Sequence, residues 1–556
     1  MSANQNHTVC RVLSGIVVFQ PERLIDVGLS DSSAIRLQSR AANDKEVSYV
    51  ALSCCWGEGR SQPGRTTRAN LSKRFAFFDL ATQPKTIQDA VEVTRRLGVR
   101  YIWIDSLCIV QDDDSDEAIQ VGEMHKIYAS AILTISAARA SDSEQGFLAT
   151  PYPSAPQIRI RYLTPKQGVG SVILSKDDVQ SEPLHQRAWT LQEHTLSRRL
   201  LIYGTNRLRW SCRTSNFSNG PEVAGSNLYS MAEDLGRKFP SEADIAKLPF
   251  GEDFISWQVI VEDFTSRELT QFEDRLPVLA GIAARYSRVV NSGRYLAGLW
   301  AGNLEKDLLW RRGEAEARMP EPNRHTTWSL ATMNARINWD DSPGHSEAGL
   351  LYTRPSIVLV DADVEPTNVA DPFSSTKPAL LRLRGHLVSV PAVSRSVFHH
   401  PTTQDGHPPI VPSMQAGSHL SPISKETPHA PENTALFQED KAGLGDDTPS
   451  ATAYLDYNFN PEDLSNCYCL ETITLTPLVW GGGGGVMGPP FSWGLLLRLR
   501  DEEKHVFTRL GTYRAFEGDD GHYPYGELGT KENVPDKLPH CGRLFEDAPV
   551  VDCTIA

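Results

Sequence analysis

The run Arg187-Ala188-Trp189-Thr190-Leu191-Gln192-Glu193 puts an arginine, an aromatic ring and a carboxylic acid at the start of one predicted helix. Positions four apart on a helix share a face, so Trp189 and Glu193 stand on the same side. An aromatic plate beside an ionisable acid suits a flat cationic ligand or a sugar-like transition state. Glu193 is the candidate catalytic residue, because a carboxylate stabilises positive charge developing on a sugar ring. Trp189 would stack on a cationic ring, and Arg187 would hold a phosphate or orient the acid. The same three residues equally suit packing, with Trp189 as a core anchor and Arg187 paired to Glu193 or capping the helix.

Further candidates lie where strands should end. Asp105 follows the apolar run Tyr101-Ile102-Trp103-Ile104 and suits either a ligand contact or a turn or helix cap. Ser53 closes Tyr49-Val50-Ala51-Leu52, and Trp56-Gly57 come next. There the backbone could approach a phosphate, or the glycine could serve only a tight turn. Cys108 offers a thiol nucleophile that His125 or His194 would have to activate, against the plainer reading of a buried inert cysteine. No metal site is expected, since neither Cys54-Cys55 nor Cys467 with Cys469 has a second half at zinc-ligand spacing. The glycine run at 481–485 lacks the lysine and hydroxyl residue of a phosphate-binding loop.

These residues need a scaffold, and the pattern supplies one. Residues 49–53, 99–104 and 132–136 read as buried strands, and Ile87, Ala90, Val91, Thr94 and Leu97 recur at helical spacing before Gly98. A second helix runs through Ala118, Val121, Met124 and Tyr128. This alternation predicts a mostly parallel sheet flanked by helices, with ligands beyond the carboxyl ends of its strands, at 53–57, 105–111 and from 137 onward. Four regions follow: an N-terminal extension (1–45), the α/β domain (46–205), a helical subdomain (206–335) and a β-rich C-terminal subdomain (336–556). In the third, Trp257, Val261 and Phe264 form a helical stripe, 276–283 reads as a helix, and the tryptophans read as core. In the fourth, strands are expected near 379–390, 469–475, 493–499 and 506–513. Residues 396–452, rich in proline, serine and histidine, read as a disordered insertion. Its irregularly spaced His399, His400, His407, His419 and His429 read as solvated rather than metal-binding.

Composition narrows the class. The chain has 556 residues, 40% hydrophobic and 22% charged, with a formal net charge of −14. That balance is globular and argues against general nucleic-acid binding, which favours a basic surface. The N-terminal apolar run 15–19 is too short for a secretory signal, and no apolar run reaches spanning length. The nine cysteines are too scattered for a disulfide scaffold. A cytoplasmic protein without a membrane span is expected.

Three ordered blocks resemble the heterokaryon incompatibility (HET) domain. The first is Tyr49-Val50-Ala51-Leu52-Ser53-Cys54-Cys55-Trp56-Gly57, and the third is the run 187–193. Between them, Thr86-Ile87-Gln88-Asp89-Ala90, the stretch 97–113 and its continuation 124–131 resemble the second. The sequence departs at Cys54, where the family usually has tyrosine, and at Asp116-Glu117, where an Asp-Trp pair is usual. The resemblance implies a fungal protein of self/non-self recognition that triggers cell death when incompatible strains fuse. HET domains are in turn similar to Toll/interleukin-1 receptor (TIR) domains, many of them NAD glycohydrolases with a Trp-x-x-x-Glu element that Trp189 and Glu193 match. On that basis a TIR-like or flavodoxin-like fold is expected, with NAD as a substrate and no cofactor. Cleaving nicotinamide from NAD needs no general acid, because the leaving group departs neutral. The alternative is a non-enzymatic signalling scaffold that self-associates or recruits protein partners.

Overall fold

The structure, a computed structural model, describes residues 19–28, 32–40, 45–57, 64–149, 152, 157–163, 169–175, 182–212, 216–218, 257–290, 292–312, 326–333, 335–339, 351–369, 371–390, 434–437, 451–455, 467–481, 484–487, 491–516 and 548–556. It divides into two compact units, Met1–Gly293 with Pro366–Lys377, and Arg294–Glu365 with Pro378–Ala556.

In the first unit the strands are β1 (Arg23–Asp26), β2 (Ala34–Ser39), β3 (Tyr49–Ser53), β4 (Phe78–Asp79), β5 (Tyr101–Trp103), β6 (Leu133–Ser136), β7 (Gln157–Leu163), β8 (Val169–Ser175), β9 (Arg199–Tyr203), β10 (Leu208–Cys212) and β11 (Asn216–Ser218). Its helices are α1 (Leu71–Ala76), α2 (Lys85–Arg96), α3 (Asp105–Cys108), α4 (Asp114–Ser130), α5 (Ala188–Leu196), α6 (Trp257–Thr265) and α7 (Arg275–Val289). Nine strands form one sheet in the order β11-β10-β9-β6-β3-β5-β1-β2-β4. The central four, β9, β6, β3 and β5, are mutually parallel, and the outer pairings are antiparallel.

Every residue of β3 and of β6 is buried, as expected for parallel strands covered on both faces. Each covering helix buries one stripe. In α2 the buried set includes Ile87, Ala90, Val91 and Thr94, and in α4 it is Gln120, Met124, Ile127 and Tyr128. Asp113 caps α4 by accepting from the Asp116 amide, and three acidic residues fill the first turn, where the helix dipole favours them. Asp116, at one of the departures from the HET pattern, takes both a 2.6 Å bond from Arg23 and the Val110 amide. It ties the loop after β5 to β1.

The sequence predicts a mainly helical region over about 206–335, and at its start β10 and β11 extend the sheet. Leu208-Arg209-Trp210-Ser211 alternates in the period of a strand, and β9 offers it an open edge. Beyond residue 256 the expected helices are present as α6 and α7, and Trp257, Trp300, Trp310 and Trp328 are buried.

The second unit carries β12 (Tyr295–Leu296), β13 (Leu299–Trp300), β14 (Arg311–Arg312), β15 (Ile337–Asn338), β16 (Leu351–Pro355), β17 (Val358–Asp363), β18 (Leu380–Val390), β19 (Thr434–Phe437), β20 (Ala451–Leu455), β21 (Cys467–Gly481), β22 (Gly484–Met487), β23 (Phe491–Asp501), β24 (Val506–Phe516) and β25 (Val550–Ile555), with a short helix α8 (Leu304–Asp307). Its pairings close on themselves: β18 with β21, β21 with β23, β23 with β24, β24 with β25, and β25 back to β18. The β-rich expectation for this region holds, in a barrel-like form. Of the stretch read as a disordered insertion, Thr434–Phe437 forms β19 and 451–452 begin β20. Its five histidines lie outside the described residues. At one mouth of the ring is a cavity of about 530 Å³, lined by residues that include Leu387, Tyr468, Leu499, Phe507 and Val551. No helix among the described residues is long and apolar enough to cross a membrane.

Candidate functional site

The carboxyl ends of β3, β6 and β5 bring most of the candidate residues together. Among the four parallel strands, the second in sequence (β5) and the third (β6) lie on either side of the first (β3). The connections therefore reverse direction between β3 and β6, and in open parallel sheets ligands bind at such a switch point.

Glu193 reaches this point from α5, a helix buried at every position except Trp189. The helix starts where it does because the backbone before it is held extended. Arg187 has φ −80° and ψ 131°, Ala188 N donates to Glu268 O, and Glu268 N donates to Gln186 O. Glu193 is only 4% exposed. Burial pushes its carboxyl up to about 7, opposed by the Arg187 charge and the nearby Ser53 and Tyr128 hydroxyls, and helped by the negative charge of Asp105. Tyr128 donates to Leu52 O at 2.9 Å, while Ser53 Oγ and Glu193 Oε2 have no hydrogen-bond partner.

Arg187 donates to the Cys54 carbonyl, and its charge acts on both Glu193 and Asp105. Asp105 begins the short α3, where its Oδ1 accepts from Ser106 N at 2.7 Å. Its Oδ2 accepts from Trp56 Nε1 at 2.9 Å. Asp105 is thus both turn residue and partner of Trp56, and burial of its carboxyl raises its pKa. Trp56, Asp105 and Arg187 are partly exposed, whereas Ser53, Ser136 and Glu193 are buried. The arrangement has a polar rim above a buried polar floor.

Two candidates are committed elsewhere. Trp189 Nε1 donates to Asp274 Oδ2 at 3.3 Å, just before α7, and its ring packs on the core of the sheet. Gly57 has φ +98°, and a β-carbon there would lie 3.0 Å from Asp142 Cβ. Both features are those of a tight turn beside a close neighbour. The thiol reading fails, because Cys108 is fully buried and its thiol is pushed up to about 12. The seven described cysteines are buried, and no group of three or more metal-ligating side chains occurs among the described residues.

The structure adds Tyr128 and Ser136. Ser136 is fully buried, its Oγ has no partner, and it lies in register with Ser53. Its strand was legible, but an interior serine at the end of Leu133-Thr134-Ile135 carries no signal until its neighbour is known.

An α/β fold with an acid and an arginine at its topological switch point defines the class of this unit, and the blocks that build the site define its family. Residues 49–193 match the family model described as heterokaryon incompatibility protein (HET). That interval begins with β3 and ends on Glu193, and the chain carries a HET domain, which supports a function related to heterokaryon incompatibility. No curated protein and no solved structure matches the chain.

Proposed function

We propose that this protein is a cell-death effector of heterokaryon incompatibility whose HET domain hydrolyses NAD or a related nucleotide. The observation that carries the reading is Glu193: a nearly fully buried carboxyl, one oxygen unpartnered, at the strand ends beneath Arg187 and Asp105. The parallel order, second-first-third-fourth, supports the flavodoxin-like or TIR-like reading.

In the proposed reaction the bond from ribose C1′ to the nicotinamide nitrogen breaks, and its electron pair leaves with neutral nicotinamide. Ionised Glu193 stabilises the ribosyl cation. Water adds at C1′ and loses its proton to solvent or to Glu193, giving ADP-ribose. Arg187 would face the phosphates. Purified protein, as isolated and in a forced oligomer, should release nicotinamide from NAD, and Glu193→Gln should abolish release. Full activity in that variant would refute the assignment.

The second reading is a self-associating scaffold, favoured by the packing of Trp189 and the engagement of its indole N–H by Asp274. It predicts toxicity on expression with no fall in NAD, undiminished in a folded Glu193→Gln protein.

A further inference from the structure

We propose that Ser53 and Ser136 form a specificity-determining pair that reads the vicinal diol of a ribosyl ligand beside Glu193. The proposal rests on the reading in which Glu193 stabilises a ribosyl cation, and adds to it the residues that choose the sugar.

Ser53 and Ser136 are register partners on adjacent parallel strands. Partners of this kind point to the same face, with the strands about 4.8 Å apart. Helix α5 identifies the face. Thr134, two residues before Ser136 and on its side of the strand, shares a 2.6 Å hydrogen bond with Ser197 Oγ. Ser197 Oγ also donates to Glu193 O at 2.6 Å. Because α5 feeds β9, which is parallel to β6, the helix runs opposite to the strand. Two residues up β6 is roughly 6.6 Å, and one turn back along α5 is roughly 5.4 Å. Ser136 therefore comes level with Glu193, and Ser53 stands next to it.

Three polar atoms meet there without partners: Ser53 Oγ, Ser136 Oγ and Glu193 Oε2, in residues that are 1%, 0% and 4% exposed. An unsatisfied buried polar atom is costly, so alanine at 53 and 136 would serve the fold better. The chemistry of the three atoms points to one ligand class. Each serine donates and accepts, and the carboxylate only accepts. A vicinal diol offers two protons and two pairs of acceptor sites, matching the set. A phosphate brings no proton for the carboxylate and is repelled by it. All three atoms sit at the switch point between β3 and β6.

The test uses the full chain and two non-cleavable probes, benzamide riboside and its 2′-deoxy counterpart, with affinities measured by titration calorimetry. The wild type should bind the riboside about tenfold more tightly. Ser53→Ala and Ser136→Ala should each weaken the riboside by roughly three- to tenfold and leave the deoxy compound unchanged. Both variants should melt at or above the wild-type temperature, having lost an unpaired hydroxyl, which separates recognition from misfolding. A wild type that binds both probes alike, or neither, overturns the proposal, as does equal weakening of both probes in the variants. Nicotinamide release that depends on Glu193 but shows no diol discrimination removes the serine pair alone. Discrimination without release removes the hydrolase reading and leaves the pair standing.

Discussion

At the scale of single residues, Glu193 would couple the proposed hydrolysis to stability through one proton. Its carboxyl is raised from the ordinary 4.5 to about 7, so the folded protein holds this proton more tightly than the unfolded chain. The stability this gives is fully present below about 4.5 and is lost as pH rises through 7. At about 1.4 kcal/mol per tenfold change in proton affinity, the full loss is roughly 3 kcal/mol. Glu193→Gln should therefore raise the melting temperature at pH 8 and leave it nearly unchanged at pH 4.5, measured by thermal denaturation. The proposed hydrolysis needs the ionised form, so nicotinamide release by the wild type should rise with pH and reach half its plateau near 7. A rate falling through that range would contradict the role given to Glu193. The sequence displayed Glu193, Arg187 and Asp105 because Arg187 and Asp105 stand at helix starts and Glu193 lies one helical turn after Trp189. It did not display Ser136, whose meaning lies in a neighbouring strand, or the tie of Trp189 to Asp274, 85 residues away.

Among the elements, the contact of α7 with α4 and α5 depends on one missing side chain. A β-carbon on Gly281 would fall 2.2 Å from His125 Cβ and 2.5 Å from Gln192 Oε1. Gly281 N also donates to Gln192 Oε1 at 3.0 Å. Gly281→Ala should push the helices apart and cost about 1–3 kcal/mol in chemical denaturation. Because Gln192 adjoins Glu193, nicotinamide release should fall too, whereas Gly98→Ala, with nothing within 4 Å of its would-be β-carbon, should spare release and lose only the cost of its turn. The strands and helices of the parallel core were legible, since β3 and β6 are short runs rich in apolar and β-branched residues and α2 and α4 repeat at helical spacing. Short antiparallel strands such as β1, β2 and β4 were not. Their pairing depends on partners distant in sequence, and β4 is only two residues long.

On the scale of the whole chain, the first unit is not a single stretch of sequence. Pro366–Lys377 belongs to it, although the residues on either side belong to the second unit. The segment is closed by its own bonds, including Thr367 N to Ser375 O at 2.8 Å, and it sets Asp371 in the electrostatic field of His125 on α4. Replacing 366–377 by a glycine-serine linker in the full-length protein should speed amide exchange in α4 around His125 and leave the barrel-like ring unchanged. Equal protection in α4 would show that the segment adds nothing there. The interleaving also sets an order in time. During synthesis residue 377 follows residue 293 at roughly 5–20 residues per second, a delay on the order of ten seconds. Throughout that interval the newborn chain already holds every strand end that surrounds Glu193, while the last piece of the same unit is still being made.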